Sequence, residues 1–204
     1  MPDPQTTTAE EPTRRDRFDQ GLLIVTGAGL SWLLMQAVHE FGHVLHAWWT
    51  GGRVAYVVLH PFTISMTHYS TYENILFLYC GGFLWGSLIP WAIFLACWRF
   101  DREIAYLPGF FAGFCLIANG AYLAGGAVGD GGDPQVLTMN GVPVALQVAI
   151  GLPMVAVGIY LWHGIGPNFG LGEGKGKVDR RAAIGVAAAF AVVFVAELLL
   201  SPIQ

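Results

Sequence analysis

The 204-residue sequence contains few charged residues and few cysteines. Asp, Glu, Lys and Arg make up 12% of the chain, against about 25% in typical soluble domains. The cysteines Cys80, Cys97 and Cys115 lie in separate apolar segments without a CxxC pair, which excludes a cysteine metal knuckle and favours a packing role. Hydrophobic residues make up 54% of the chain. This composition indicates a membrane protein rather than a soluble domain.

Apolar segments long enough to cross a bilayer, which takes about 20 residues, occur five times. They cover residues 21–49, 75–98, 104–126, 142–162 and 182–200. Residues 1–20 are polar and rich in proline and threonine, so we expect a disordered tail, and the glycine-rich residues 164–181 should form a flexible loop. The sequence therefore predicts an all-α polytopic membrane protein with a core at residues 21–163 and a last helix at residues 182–204.

The basic residues are distributed unevenly between the two ends of the five predicted spans. Nine of them fall on the side of the N-terminus, whereas Arg53 alone falls on the other side. Because cytoplasmic loops carry an excess of Lys and Arg, we expect a cytoplasmic N-terminus. We expect an integral, multi-pass protein of a bacterial cell membrane, in contact with the lipid bilayer and not with nucleic acid.

The segment after the first span is unlike a transmembrane helix. Residues 53–71 are rich in β-branched and aromatic side chains with partial alternation, and Pro61 interrupts them. Such a segment is stable at membrane depth only when its backbone groups pair internally or pack against protein. We therefore predict a short β-hairpin or re-entrant segment here.

Residues 39–43 read His-Glu-Phe-Gly-His within the first apolar segment. Residues four apart share one helix face, so His39 and His43 could reach one tetrahedral zinc ion, with Glu40 beside it as a candidate general base. Ionisable groups inside a membrane are costly, which makes this cluster a functional hypothesis. His46 shares the face but lies about 10.5 Å from His39 along the helix, too far to join both histidines, so we assign it a supporting role.

A catalytic zinc needs a third protein ligand. The loop after the third span contains Asp130 and Asp133, and in a five-span topology it emerges on the same side as the end of the HExxH helix. Either aspartate could complete a site with two histidines, although Gly and Asp are also common in ordinary surface turns. The sequence therefore leaves Asp133 and Asp130 as alternatives.

These residues resemble the site-2 protease family of intramembrane zinc metalloproteases, over about residues 31–145. The first family motif is similar to His39-Glu40-x-Gly42-His43-x-x-x-Ala47-x-x-x-Gly51 and the hairpin segment that follows it. A glycine-rich helix is matched by Gly81-Gly82-x-x-x-Gly86, with Gly82 where a proline is common. The second motif is matched by Asn119 and Asp130-Gly131-Gly132, with a longer spacing and without the usual prolines between them.

The resemblance implies a zinc enzyme that hydrolyses peptide bonds in or near transmembrane segments of other membrane proteins. It implies that Glu40 acts as the general base for a zinc-activated water, and that Asn119 contacts the substrate backbone or the developing oxyanion. Asn119 could instead join helices as a hydrogen-bonding residue. Leu137 and the Gly141-Val142-Pro143 sequence resemble small family members and favour Asp133 as third ligand.

Two other functions compete with the protease. The altered second motif would suit a zinc-binding membrane regulator that no longer cleaves, although the intact Glu40 favours an enzyme. Alternatively, an aspartate together with the two histidines and Glu40 could line a cation path in a small transporter. The absence of a visible internal repeat makes the transporter the weaker alternative.

Overall fold

A computed structural model of the chain describes residues 11–129 and 131–201. This part of the chain forms six α-helices and a two-stranded antiparallel sheet. The elements are α1 (Arg14–Trp49), β1 (Arg53–Val58), β2 (Met66–Thr71), α2 (Ile75–Phe100), α3 (Tyr106–Gly126), α4 (Gly132–Met139), α5 (Val144–Ile165) and α6 (Arg180–Leu200). All helices except α4 belong to segments long and apolar enough to cross a membrane. The predicted all-α polytopic fold, with five spans and a hairpin after the first, is confirmed.

Helix α1 begins earlier than the sequence predicted. Thr13 caps it, because the Thr13 hydroxyl accepts a hydrogen bond from the Asp16 amide at 3.2 Å and the Asp16 carboxylate accepts one from the Thr13 amide at 2.8 Å. This reciprocal capping satisfies free amides of the first turn, so the helix extends to Arg14. The prediction of a disordered tail at residues 1–20 is therefore wrong from residue 14 onward, and residues 1–10 lie outside the described part.

The predicted flexible loop at residues 164–181 is ordered. Helix α5 continues to Ile165, and two 3-10 helices follow, Gly166–Phe169 and Gly172–Gly174. The Phe169 side chain is buried in a cluster with Leu23 and Ala183, and its carbonyl accepts a hydrogen bond from Gln20 Nε2 at 3.0 Å. The prediction of flexibility is wrong because one aromatic anchor outweighs the glycine content of the segment.

One end of the helix bundle collects most of the positive charge. Gln20 near the start of α1 contacts Phe169, and the Tyr106 ring at the start of α3 lies 5.7 Å from the Phe169 ring. These contacts bring together the elements that carry nine of the ten Lys and Arg residues. The tenth, Arg53, is the first residue of β1 and lies just beyond the other end of α1. The charge separation is therefore a property of the fold, and the cytoplasmic N-terminus stays a prediction.

Glycines let the helices approach closely where α1 crosses α2 and where α3 crosses α5. A Cβ atom on Gly42 would overlap the Gly81 carbonyl, and one on Gly120 would lie 2.6 Å from the Gly151 carbonyl oxygen. Small residues at helix crossings let two backbones touch, which is a common mode of packing in membranes. The first crossing lies within the HExxH segment, so it brings the backbone of α2 against the two histidines.

The two strands pair in antiparallel register, with Tyr56 opposite His68 and Val58 opposite Met66. Pro61 lies in the connecting loop, residues 59–65, where its missing amide donor does not interrupt the strand pairing. The Leu59 amide donates a hydrogen bond to Ser201 Oγ at 2.6 Å, which attaches this loop to the end of α6. The hairpin is therefore held between α1 and α6.

Candidate metal centre

Three potential ligand atoms meet in a triangle at the junction of α1 and α4. Asp133 Oδ2 lies 2.9 Å from His39 Nε2 and 3.0 Å from His43 Nε2, and the two Nε2 atoms are 3.3 Å apart. Ligand atoms about 2.1 Å from a tetrahedral zinc ion lie about 3.4 Å from one another. The triangle thus has nearly the size that a zinc ion requires, and two His and one Asp form a suitable set of donors.

Hydrogen bonds on the far side of each ring orient both histidines. His43 Nδ1 lies 3.0 Å from the Leu78 carbonyl oxygen, which can only accept, so Nδ1 carries the proton. His39 Nδ1 lies 2.8 Å from Asn119 Oδ1, and Asn119 Nδ2 donates to the Cys115 carbonyl at 2.9 Å. The second bond fixes which end of the amide faces His39. Each neutral imidazole therefore presents its Nε2 lone pair to the centre.

Asp133 supplies a negative charge at the same point. An ionised oxygen and two imidazole lone pairs within 3.3 Å of one another are all acceptors. A bound cation satisfies all three at once, so the residues fit a metal ion.

The position of Asp133 depends on a turn that precedes it. Gly132 has a φ of 73°, a left-handed conformation that favours glycine, and a Cβ atom there would overlap the Tyr122 hydroxyl. The Asp133 amide donates a hydrogen bond to Tyr122 Oη at 2.8 Å. Helix α3 therefore fixes the start of α4. The alternative ligand, Asp130, lies outside the described residues.

Gly82 on α2 forms one wall of the centre. A Cβ atom at this position would lie 2.5 Å from His43 Nε2 and would also overlap His39 Nε2. The site thus has room for the ligand atoms only because this residue has no side chain. The departure from the common proline, noted in the sequence, falls directly against the predicted metal ligands.

Glu40 is buried beside the centre, with 4% of its surface exposed. Its two carboxylate oxygens accept hydrogen bonds from the hairpin, Oε1 from Ser65 Oγ at 2.7 Å and Oε2 from Thr67 Oγ1 at 2.6 Å. A buried carboxylate needs such donors to compensate for the loss of water. Glu40 is thus a residue of α1 whose carboxylate is held by the hairpin.

His46 does not join the metal-ligand group. Its Nε2 atom accepts a hydrogen bond from Trp85 Nε1 at 3.0 Å, its Nδ1 atom bonds the Phe77 carbonyl, and its ring stacks on the Phe77 ring at 3.9 Å. Both ring nitrogens are thus occupied. His46 packs α1 against α2, in agreement with the supporting role that its helix position indicated.

Asn119 lies behind His39, and its predicted contact with the substrate stays a prediction. The residue is 1% exposed, and its amide bonds His39 at one end and its own helix, at Cys115, at the other. Little of the side chain is therefore available to a substrate. Its contact with the imidazole indicates that Asn119 orients His39.

Several residues of the site were not singled out from the sequence. Gln36 precedes Glu40 by one helical turn in an otherwise apolar stretch, and Ser65 and Thr67 are two residues apart, so they share one side of an extended chain. The spacing of Gln36 indicated a position on the same helix face as Glu40, whereas the spacing of Ser65 and Thr67 indicated only that these two side chains share a side. The hydroxyl of Tyr122 and the Leu78 carbonyl carry no comparable signal, because their roles depend on how the helices cross.

A family model described as Peptidase M50B-like matches residues 22–123, half of the chain. The matched region includes both histidines, Glu40, the hairpin and Asn119, and it ends before Asp133. Comparisons with curated proteins and with solved structures gave no significant match. The chain belongs to the Peptidase M50B-like family, in agreement with the resemblance of its sequence to site-2 proteases.

Proposed function

We propose that the protein is an intramembrane zinc metalloprotease that hydrolyses peptide bonds in or near transmembrane segments of other membrane proteins. Membership of a peptidase family supports this proposal, and M50 peptidases are generally zinc-dependent. Five apolar helices support an integral, multi-pass membrane protein. A bacterial cell membrane stays the expected location.

The observation that carries the proposal is the triangle of ligand atoms from His39, His43 and Asp133 beside a buried carboxylate. In this arrangement the three residues would hold the metal through Nε2, Nε2 and Oδ2. A zinc ion in such a site lowers the pKa of a bound water and polarises a carbonyl group. The Leu78 carbonyl and Asn119 would keep the imidazoles in the tautomer that binding requires.

Glu40 is the residue assigned to proton transfer. It directly follows His39 in the chain, and its two carboxylate oxygens each accept a hydrogen bond from a hydroxyl. In the proposed reaction its carboxylate takes a proton from the attacking water and returns it to the leaving amine. Replacing Glu40 with glutamine removes this capacity and leaves all three predicted ligands in place.

The proposed substrate is a transmembrane segment that unwinds locally, because a helix hides its own peptide groups. Among the described residues, β1 and β2 pair only with each other, so each strand has an outer edge without a strand partner. An extended segment of substrate could add to such an edge through main-chain hydrogen bonds. The hairpin would then bring the scissile peptide towards the metal centre.

The test compares wild-type protein with Glu40→Gln in membranes of expressing cells. New peptide N-termini, identified by mass spectrometry, should map within or beside transmembrane segments in the wild type and should be missing in the variant. Elemental analysis of both purified proteins should give close to one zinc per chain. Chelation should abolish cleavage in isolated membranes, and added zinc should restore it.

Other outcomes select the alternatives. Bound zinc with identical termini in wild type and Glu40→Gln would contradict the protease and favour a zinc-binding regulator. Absence of zinc even after reconstitution would contradict both of these and favour a transport component. His43→Ala serves as the control for zinc content, because it removes one ligand of the triangle.

A further inference from the structure

The Glu40 carboxylate is held by two hydroxyls from the hairpin. Ser65 Oγ donates to Oε1 at 2.7 Å and Thr67 Oγ1 donates to Oε2 at 2.6 Å. Hydrogen bonds between a hydroxyl and a charged carboxylate are short and about twice as strong as those between neutral groups. Each oxygen thus accepts a hydrogen bond from its own donor. The two bonds together set the orientation of the carboxylate as well as its position.

The two hydroxyls are themselves fixed to the rest of the protein. The Ser65 amide donates a hydrogen bond at 2.9 Å to Oε1 of Gln36, which lies one helical turn before Glu40 on α1. Thr67 is buried within β2. At the other end of the loop, the Leu59 amide is bonded to Ser201 on α6. The donors therefore belong to a segment anchored at three places.

This arrangement still leaves Glu40 able to accept a proton. A carboxylate has about four acceptor positions, and the hydroxyls use two of them. The remaining lone pairs can face a water molecule while the carboxylate is kept from rotating. In proton transfer the base must lie within hydrogen-bonding distance of the proton that it takes. The orientation of the Glu40 carboxylate decides whether a free lone pair meets this condition, so it affects the rate.

We infer that Ser65 and Thr67 are positioning residues, which hold the Glu40 carboxylate in the orientation required for proton transfer. This inference rests on the proposed protease function. It joins two tasks in one element, because the hairpin that offers an edge to the substrate also orients the base.

A purely structural role would predict different behaviour. If the hydroxyls only fastened the hairpin to α1, their loss would loosen the substrate edge and mainly raise KM. If they orient the base, their loss lowers kcat at unchanged KM. The metal ligands are not involved in these hydrogen bonds, so the zinc content should stay constant in either case.

The test uses Thr67→Val, which removes the hydroxyl and keeps a β-branched side chain of similar size. Thr67→Ser restores the hydroxyl without the methyl group, and Ser65→Ala removes the second donor. Thr63→Val is the matched control. Thr63 lies in the connecting loop, two residues before Ser65, and its hydroxyl donates a hydrogen bond to the His60 carbonyl instead of to Glu40. Each protein is reconstituted in lipid vesicles with a synthetic single-span peptide that contains a cut site identified in wild-type membranes.

We expect kcat to fall about 10-fold for Thr67→Val and about 100-fold when Ser65→Ala is added, since small misplacements of reacting groups cost rates of this order. KM and zinc content should stay within about twofold, and Thr67→Ser and Thr63→Val should keep wild-type kcat. Equal kcat for Thr67→Val and Thr67→Ser would overturn the inference, as would a change confined to KM. A wild type that cleaves no peptide at all would contradict the protease proposal itself.

Discussion

The Nδ1 atom of His39 lies 2.8 Å from Oδ1 of Asn119, so the residue predicted to contact the substrate also contacts a predicted metal ligand. Asn119→Ala should lower zinc affinity about 10–100-fold, the usual effect of losing such a partner. Asn119→Asp keeps an acceptor for the imidazole and should lose less. Competition with a fluorescent zinc chelator measures both. A substrate role would instead change KM and leave zinc affinity unaltered.

Gly82→Ala tests the wall of the metal centre. The added methyl group would lie against both Nε2 atoms, so we expect zinc affinity to fall by more than about 100-fold, beyond the usual effect of a lost supporting bond. Gly185→Ala is the control, because a Cβ atom there meets nothing within 4 Å. Elemental analysis after dialysis against a weak chelator separates the two proteins. Full zinc occupancy in Gly82→Ala would show that the ligand triangle lies elsewhere.

Tyr122→Phe tests how Asp133 is held. The substitution removes the oxygen that accepts the Asp133 amide at 2.8 Å and keeps the ring beside His39. Zinc affinity should fall about 10-fold, because a ligand loses a fixed neighbour. Tyr160→Phe is the matched control at an exposed tyrosine. An unchanged affinity in Tyr122→Phe would mean that α4 keeps its place without this contact.

His46→Ala should destabilise the protein without loss of zinc. The substitution removes the part-buried hydrogen bonds of the His46 ring to the Trp85 indole N–H and the Phe77 carbonyl, at about 0.5–1.5 kcal/mol for each bond lost. Thermal unfolding in detergent measures this change. His163→Ala, at an exposed histidine, should leave the unfolding temperature unaltered. Loss of zinc from a folded His46→Ala protein would contradict the supporting role.

Much of the fold follows from the sequence because the membrane restricts the possible structures. A bilayer requires apolar segments of a set length with their backbone bonds satisfied internally. The apolar runs therefore predicted the five spans, and the β-branched, partly alternating residues 53–71 predicted a hairpin or re-entrant segment. The start of α1 was missed because Thr13 and Asp16 form a capping box within a stretch that otherwise reads as polar tail. Local hydrogen bonding there outweighs composition.

The metal centre could be predicted only in part. His39 and His43 share a helix face by spacing alone, whereas Asp133 and His39 are 94 residues apart. Their meeting depends on the turn at Gly132 and on the crossing of the helices, which no local pattern encodes. Ser65 and Thr67 illustrate the same limit, because a spacing of two residues indicates one side of an extended chain without indicating which helix that side meets.

The eight-residue α4 is too short to cross a membrane, and through Asp133 it contacts two histidines on the longest helix of the fold. A cation bound at that contact would link α4 to α1. Release of the cation would remove this link between α4 and α1, and α4 would then be held by its remaining contacts, such as that with Tyr122 on α3. Hydrogen exchange at the amides of residues 132–139 would then report metal occupancy directly, without any knowledge of the substrate.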